Sequence, residues 1–240
     1  MPALALLAPA PARATDVQVS PVVVELDARA RSAILTVKNG SQEKARYQVS
    51  AFSWAQDSTG KMELLPMRDL AVFPLLLEIA PGQSRNIRIG LSTAPDGVEK
   101  TYRVFVEELP PAESPEQSGQ VRILMRVGVP VFVAPVKPVH ESSVVFTAVG
   151  GGRASLLVRN TGTVRLRPTD VRLVGLDAAG SAAFTVPLNA WYVLAGDERA
   201  YETALPQEAC ARAKTLRAVL TEERGELEAR IALPDGACAR

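Results

Sequence analysis

The side chains that could carry out chemistry are few and scattered along the 240 residues. The single histidine, His140, has no nearby Ser or Cys that would form a nucleophile pair with it. Glu107 and Glu108 are adjacent on a predicted strand, so their carboxylates point to opposite faces and cannot act together as acid and base. One histidine and two cysteines are too few ligands for a structural zinc site. The sequence therefore predicts no enzyme, no metal site and no cofactor.

Cys210 and Cys238 are the only two cysteines of the sequence. Such a pair agrees with an oxidising compartment and predicts a disulfide, with two unpaired buried thiols as the alternative. Closing a loop of this length would stabilise the domain by about 3 to 4 kcal/mol in the chain-entropy model.

The N-terminal segment MPALALLAPAPARAT contains a short apolar run that ends in Ala12-Arg13-Ala14. This small-x-small pattern predicts that residues 1–14 belong to a signal peptide that is cleaved before Thr15; the alternative is a disordered Ala/Pro tail. Secretion in a Gram-negative cell would leave the protein in the periplasm.

Composition restricts the class of fold and of partner. A hydrophobic content of 47% can form a sizeable core, and 18 prolines, 16 glycines and many Val and Thr residues favour strands and turns. The 27 Lys and Arg are balanced by 26 Asp and Glu, unlike the basic surface of a nucleic-acid-binding protein. We therefore expect an all-β protein with no nucleic-acid partner.

Two segments of the chain resemble each other, AILTVKNGS at 33–41 and ASLLVRNTG at 154–162. Each reads as an apolar-rich strand, a basic residue and an asparagine, Asn39 or Asn160, that opens a turn. The repeat predicts two similar modules in tandem.

The modules are separated by APVKPV at 134–139, which is short and punctuated by proline, as a stiff linker would be. We expect a first domain over 15–135, a linker over 136–138 and a second domain over 139–240. The stretch VGGGR at 149–153 fits a hairpin turn better than a phosphate-binding loop.

About seven strands per module, separated by turn signals, predict two immunoglobulin-like sandwiches, although the Cys…Trp…Cys spacing of antibody domains does not occur. The predicted strands lie near 17–26, 32–39, 46–54, 70–79, 84–91, 101–109 and 121–134 in the first module, and near 143–148, 153–160, 170–176, 183–187, 198–203, 215–222 and 226–233 in the second.

The last strand of the first module, within QVRILMRVGVPVFVAP at 120–135, is unusually long and apolar. Its alternation places seven apolar side chains on one face: Val121, Ile123, Met125, Val127, Val129, Val131 and Val133. The Pro- and Ser-rich segment PPAESPEQSGQ precedes it. A long apolar edge strand beside such a loop predicts pairing with a strand from a partner.

The segments VQVSPVVVELD, AILTVKN, FSWAQD, LEIAPGQSRNIRIGL, YRVFVEELPP and VPVFVAP occur in this order. Together they resemble the PapD-like periplasmic chaperones of chaperone-usher pilus assembly, and the ending looks closest to the archaic branch of that family. The resemblance covers 17–135 by motif and the second domain by position and length.

This resemblance implies a boomerang of two immunoglobulin-like domains that completes a pilus subunit by donor-strand complementation and delivers it to an outer-membrane usher. By position, Val121, Ile123, Met125 and Val127 would be the donor side chains. The free chaperone could self-associate through the same strand.

Many members of the family bind the subunit's terminal carboxylate with an Arg and a Lys. The corresponding positions here are Val23 and Pro130, which cannot do so. Arg103 or Arg126 would replace them, as the nearest Arg forks on the same sheet; the alternative is that both are solvated strand-face residues.

Two further interpretations stay open. Trp54 and Trp191 read as core or inter-sheet packing, with carbohydrate binding as the alternative. The whole chain could instead be a secreted two-domain structural or adhesive module, which would not need an apolar strand to bind its partner.

Overall fold

The computed structural model describes residues 16–110 and 123–239, and their regular secondary structure is almost entirely β-strand. The strands of the N-terminal half are β1 (Val17–Ser20), β2 (Val24–Leu26), β3 (Ser32–Asn39), β4 (Ala45–Gln56), β5 (Met62–Leu65), β6 (Leu70–Phe73), β7 (Leu76–Ile79), β8 (Ser84–Leu91), β9 (Lys100–Leu109) and β10 (Arg126–Val133). Those of the C-terminal half are β11 (Ser142–Gly150), β12 (Arg153–Asn160), β13 (Asp170–Leu176), β14 (Ala182–Leu188), β15 (Glu198–Ala204), β16 (Thr215–Glu222) and β17 (Gly225–Ala232).

The first ten strands form a sandwich of two sheets. One sheet has the order β1-β3-β8-β6, and the other has the order β2-β10-β9-β4-β5, with β7 also paired to β4. Alternate side chains of each strand point between the sheets, and Leu35, Ile87, Val104 and Val131 are completely buried there. Period-two alternation of apolar residues thus builds this core.

The remaining strands form a second sandwich with a core of its own. Its sheets have the orders β11-β12-β15 and β14-β13-β16-β17, and Val158, Leu173 and Leu220 are buried between them. The prediction of an all-β chain with two immunoglobulin-like sandwiches is confirmed. The domain limits 15–135, 136–138 and 139–240 remain a prediction.

Two predicted strands are broken in two. The predicted strand at 17–26 is β1 followed by β2, and the one at 70–79 is β6 followed by β7. Pro21 and Pro74 lie at the breaks, where a residue without an N–H cannot donate to a ladder. At both breaks the chain crosses from the four-stranded to the six-stranded sheet. Proline therefore marks the change of sheet.

The two related asparagines have the same structural role. The Asn39 amide, fully buried at the end of β3, donates to the carbonyls of Glu43 and Ile79 at 2.7 and 2.9 Å. The Asn160 amide, at the end of β12, lies 2.8 Å from the Val164 carbonyl oxygen and also contacts the 193–194 backbone. The repeat seen in the sequence is thus a repeated hydrogen-bonded corner.

One helix occurs among these residues, the four-residue α1 (Gln207–Cys210), which the sequence did not predict. A disulfide joins Cys210 to Cys238, as predicted, and ties the C-terminal turn to the second sandwich. Within the part of the chain that the structure describes, no helix is long and apolar enough to cross a membrane.

Candidate functional site

The strand β10 has an open edge along most of its length. It pairs with β9 over Arg126–Val133, but its other neighbour, β2, reaches only Val131–Val133. Along 126–130 no other described strand covers the second edge. Unpaired N–H and C=O groups of this kind can accept an additional strand.

One row of side chains runs from the core of the first sandwich along β10. Val129, Val131 and Val133 are buried, and Val127 packs against them at the margin of the core. Beyond Val127 the next two members of the row are solvent-exposed, Met125 to 38% and Ile123 to 70%. Val121 lies outside the described residues.

The predicted strand at 121–134 therefore becomes regular only at Arg126 in the described part of the chain. The Glu108 N–H still donates to the Met125 carbonyl at 2.9 Å, so β9 guides the chain one residue further. Beyond Val106, which pairs with Val127, the next core-facing side chain of β9 is that of Glu108. Glu108 is paired with Tyr47 of β4, whose side chain is also buried. Burial, together with Glu108 and Asp16, raises the pKa of Tyr47 to about 12. The apolar core thus ends where the exposed row begins.

The outer face of the same sheet brings Arg103 next to the two positions where an anchoring Arg and Lys are missing. Arg103 on β9 is directly opposite Pro130 on β10. Val24 pairs with Val131 on the far side, which places Val23 beside Pro130. Arg103 thus lies on the strand next to Pro130 and two strands from Val23, the two positions where the Arg and Lys of other family members would lie.

Arg103 is buried, and no described residue supplies a counter-charge to it. Its side chain belongs to a residue that is 6% exposed, and no carboxylate of the described residues lies within 4.0 Å. Its Nη1 donates to the Gly128 carbonyl at 3.3 Å, while the buried Nε has no partner among these residues. Burial lowers the pKa of Arg103. The interpretation of Arg103 as a solvated residue is therefore wrong, and a buried cation of this kind can bind a carboxylate.

Arg126 differs from Arg103 in all these respects. It is exposed, its Nε lies 3.4 Å from Glu107 Oε2, and its guanidinium stacks 4.0 Å from the centre of the Phe105 ring. Because Arg126 precedes Pro130 by four residues, it lies about 13 Å from the Arg103 row. Its charge is already partnered.

One tryptophan from each sandwich lies beside Arg103. Its guanidinium carbon lies 4.2 Å from the centre of the Trp54 ring and 5.7 Å from that of Trp191. Trp54 also packs with Phe132 and Tyr192, in a cluster that joins the two sandwiches. The sequence interpretation of both tryptophans as packing residues agrees with these contacts.

A second contact between the sandwiches was not predicted. Arg165, between β12 and β13, forms ion pairs with Glu99 and Glu25 and stacks 3.7 Å from the centre of the Phe132 ring. Burial raises the pKa of Glu99 even though Arg165 opposes the shift. No sequence pattern could have identified this pairing, because its members are remote in the chain.

The sequence also predicted that His140, the acidic residues and the cysteines form no catalytic or metal site. His140 lines a groove of ≈ 780 Å³ beside Arg165 and Arg224, and burial together with Arg224 lowers its pKa. Among residues 16–110 and 123–239, no group of three His, Cys, Asp or Glu side chains could hold a metal ion. Glu107 and Glu108 do point to opposite faces, since Glu108 is buried and Glu107 is exposed.

Comparison with known proteins identifies the family. Residues 16–138, just over half of the chain, match the pili and flagellar-assembly chaperone family through its PapD N-terminal domain. The chain belongs to this chaperone family. The resemblance found in the sequence is confirmed. The comparison with curated protein sequences found no match.

Solved structures of pilus chaperones share the fold. The CsuC–CsuE chaperone–tip adhesion subunit complex from archaic chaperone-usher Csu pili of Acinetobacter baumannii is 21% identical, with a TM-score of 0.58 over 92% of this chain and 100% of that chain. The Salmonella enterica SafA pilin in complex with the SafB chaperone gives 15% identity and a TM-score of 0.60 over 92% and 99%. The Pseudomonas aeruginosa CupB2 chaperone gives 17% identity and 0.56 over 90% and 100%. At these identities the likeness concerns the fold.

Proposed function

We propose that this chaperone binds, folds and caps pilus (fimbrial) subunits by donor-strand complementation and delivers them to an outer-membrane usher. The observation that carries the proposal is the exposed apolar row before Arg126, which continues the core row of β10 along an open strand edge. A monomeric domain ordinarily covers or charges such an edge.

Recognition combines the backbone with alternate side chains. The open edge of β10 pairs with a strand of the subunit, and Val121, Ile123, Met125 and Val127 fill the groove that the subunit's missing strand leaves. Burying three such side chains contributes roughly 5 to 9 kcal/mol before the cost of association. This range is compatible with a stable complex that strand exchange can still dismantle.

Arg103 is the proposed anchor for the subunit's terminal carboxylate. Its burial, its lack of a counter-charge among the described residues and its place beside Pro130 support this choice over Arg126. A carboxylate at Arg103 would compensate a buried charge, which otherwise costs free energy.

The remaining elements of the proposal concern context. We place the protein in the periplasm after removal of residues 1–14, which agrees with the Cys210–Cys238 disulfide. The similarity to the Csu chaperone supports membership of the archaic branch. The chaperone needs no cofactor and catalyses no reaction, and the free protein can self-associate through β10.

The decisive experiment is periplasmic co-expression with a candidate pilin subunit, followed by pull-down of the wild type, Ile123→Asp and Leu124→Asp. Ile123 belongs to the donor row, whereas Leu124, exposed to 42%, belongs to the opposite one. We expect a soluble one-to-one complex for the wild type and Leu124→Asp, and its loss for Ile123→Asp. If all three variants bind equally or none binds, the donor-strand proposal fails and the structural or adhesive module becomes the better interpretation.

A further inference from the structure

The guanidinium of Arg103 presents one hydrogen-bonding edge. Nη1 donates to the Gly128 carbonyl, whereas the buried Nε has no partner among the described residues. Nε and Nη2 lie along the same edge of the planar guanidinium and form the two-pronged edge that matches a carboxylate. The direction of this edge depends on what holds the plane of the group.

Two indole rings hold that plane, and they come from different sandwiches. Trp54 on β4 lies 4.2 Å from the guanidinium carbon and is 2% exposed, so it is a fixed wall. Trp191, between β14 and β15, lies 5.7 Å from the same carbon and is 36% exposed. Both distances are within the range of cation–π attraction.

The neighbours of Trp191 in its loop hold that loop against the first sandwich. The Trp191 ring packs 5.5 Å from that of Tyr192, which in turn packs edge-on against Trp54 at 5.6 Å. The Leu194 N–H donates to the Gln56 side-chain oxygen at 3.2 Å. The loop that carries Trp191 is therefore docked on the same strand that carries Trp54.

We infer that Trp191 is a positioning residue for the Arg103 anchor, so that recognition of a terminal carboxylate requires a side chain of the second sandwich. This inference rests on the proposed function. It adds a reason for the two sandwiches to stay in contact: loss of their aromatic contact would release the guanidinium plane. Because Trp191 retains exposed surface, it can also shield the bound carboxylate from water, which strengthens the ion pair.

The test uses the full chain and two peptides. Both are six-residue peptides of alternating Thr and Val with fluorescein at the N-terminus; one ends in a free carboxylate and the other in an amide. Fluorescence anisotropy gives the dissociation constant of each, and the ratio of amide to acid constants measures carboxylate recognition separately from strand pairing. The variants are Arg103→Gln, Trp191→Ala and Trp191→Phe, with Phe73→Ala as a control exposed to 75% on the other sheet of the first sandwich.

For the wild type we expect a ratio of about tenfold or more, as a charge-assisted pair provides. Arg103→Gln should reduce the ratio to about one, and Trp191→Ala should reduce it roughly three- to tenfold, as loss of a cation–π contact predicts. Trp191→Phe and the Phe73→Ala control should keep most of it.

The possible failures are distinguishable. If Trp191→Ala keeps the wild-type ratio while Arg103→Gln loses it, Trp191 only packs, and the inference is wrong although the anchor stands. If Trp191→Ala weakens both peptides equally, its role is structural and the inference is wrong as well. A wild-type ratio near one would overturn both the anchor and the inference, and a wild type that binds neither peptide would also contradict strand pairing at β10.

Discussion

Replacement of Asn160 by alanine should destabilise the second sandwich markedly. The Asn160 amide donates two protons, which serve carbonyls of residues 164, 193 and 194 at 2.8 to 3.0 Å, and its oxygen accepts the Gly162 N–H at 3.1 Å. Asn160 is 3% exposed, so water cannot replace these bonds. Three lost hydrogen bonds at about 1 kcal/mol each predict that the free energy of unfolding falls by about 3 kcal/mol.

Urea denaturation followed by circular dichroism measures this change. Asn39→Ala, at the equivalent corner of the first sandwich, should have a similar effect on the transition of that sandwich, because Asn39 is also buried and bonded. The matched control is Asn86→Ala, since Asn86 is exposed and its side-chain oxygen accepts a hydrogen bond from the Thr36 hydroxyl, and we expect a loss of less than about 0.5 kcal/mol there. A loss below about 1 kcal/mol for Asn160→Ala would refute the reasoning that these buried bonds hold the corner.

Three further predictions concern stability. Burial by itself would raise the pKa of Asp69, but hydrogen bonds, including one from the Tyr102 hydroxyl, lower the pKa overall, so Asp69 stabilises the fold above about pH 4 and loses this effect as the pH falls. Tyr102→Phe should raise the pKa of Asp69 in an NMR titration. It should also reduce the free energy of unfolding at neutral pH but not in acid. Cys210→Ser should lower the free energy of unfolding by about 3 to 4 kcal/mol in urea, an effect that a reducing agent should reproduce in the wild type. Arg165→Met leaves the Glu99 carboxylate buried without its cation, so the pKa of Glu99, already raised by burial, should rise further. Thermal melts should therefore show a larger loss of stability at pH 7, where Glu99 is more fully charged, than at pH 5. An equal loss at the two pH values would contradict the pairing of Arg165 with Glu99.

Local patterns of the sequence were sufficient for much of the fold. Apolar alternation identified most strands, and the repeated Asn39 and Asn160 indicated two related modules, because a buried corner amide needs the same neighbours in each. The two prolines that divide predicted strands were harder to interpret, since a proline ends a ladder without indicating which sheet the chain joins next. Propensity alone does not encode a crossing between sheets.

The candidate site was only partly predictable, for a different reason. The exposed row was visible because it lies within one strand and depends on period two alone. The burial of Arg103 was not visible, because the rings beside its guanidinium are Trp54 on another strand and Trp191 from the other sandwich. The pairing of Arg165 with Glu99 is equally remote in sequence. Contacts between the two sandwiches are tertiary, and a single sequence does not reveal them.

Under the proposed function, the arrangement of the row would let one strand both build a sandwich and be lent to a partner. From Val129 onward its side chains are buried and β9 pairs with it throughout, so this part is already ordered before any partner binds. Residues 123–125 lie outside the regular strand, and the Glu108 N–H donates to the Met125 carbonyl. Burying Ile123 and Met125 in the proposed complex would immobilise side chains that are exposed in the free protein, and this loss of side-chain entropy offsets part of the gain from burial. In the proposed complex, the buried part of the row would set the register, and the exposed part would give a complex that is not too tight to be exchanged.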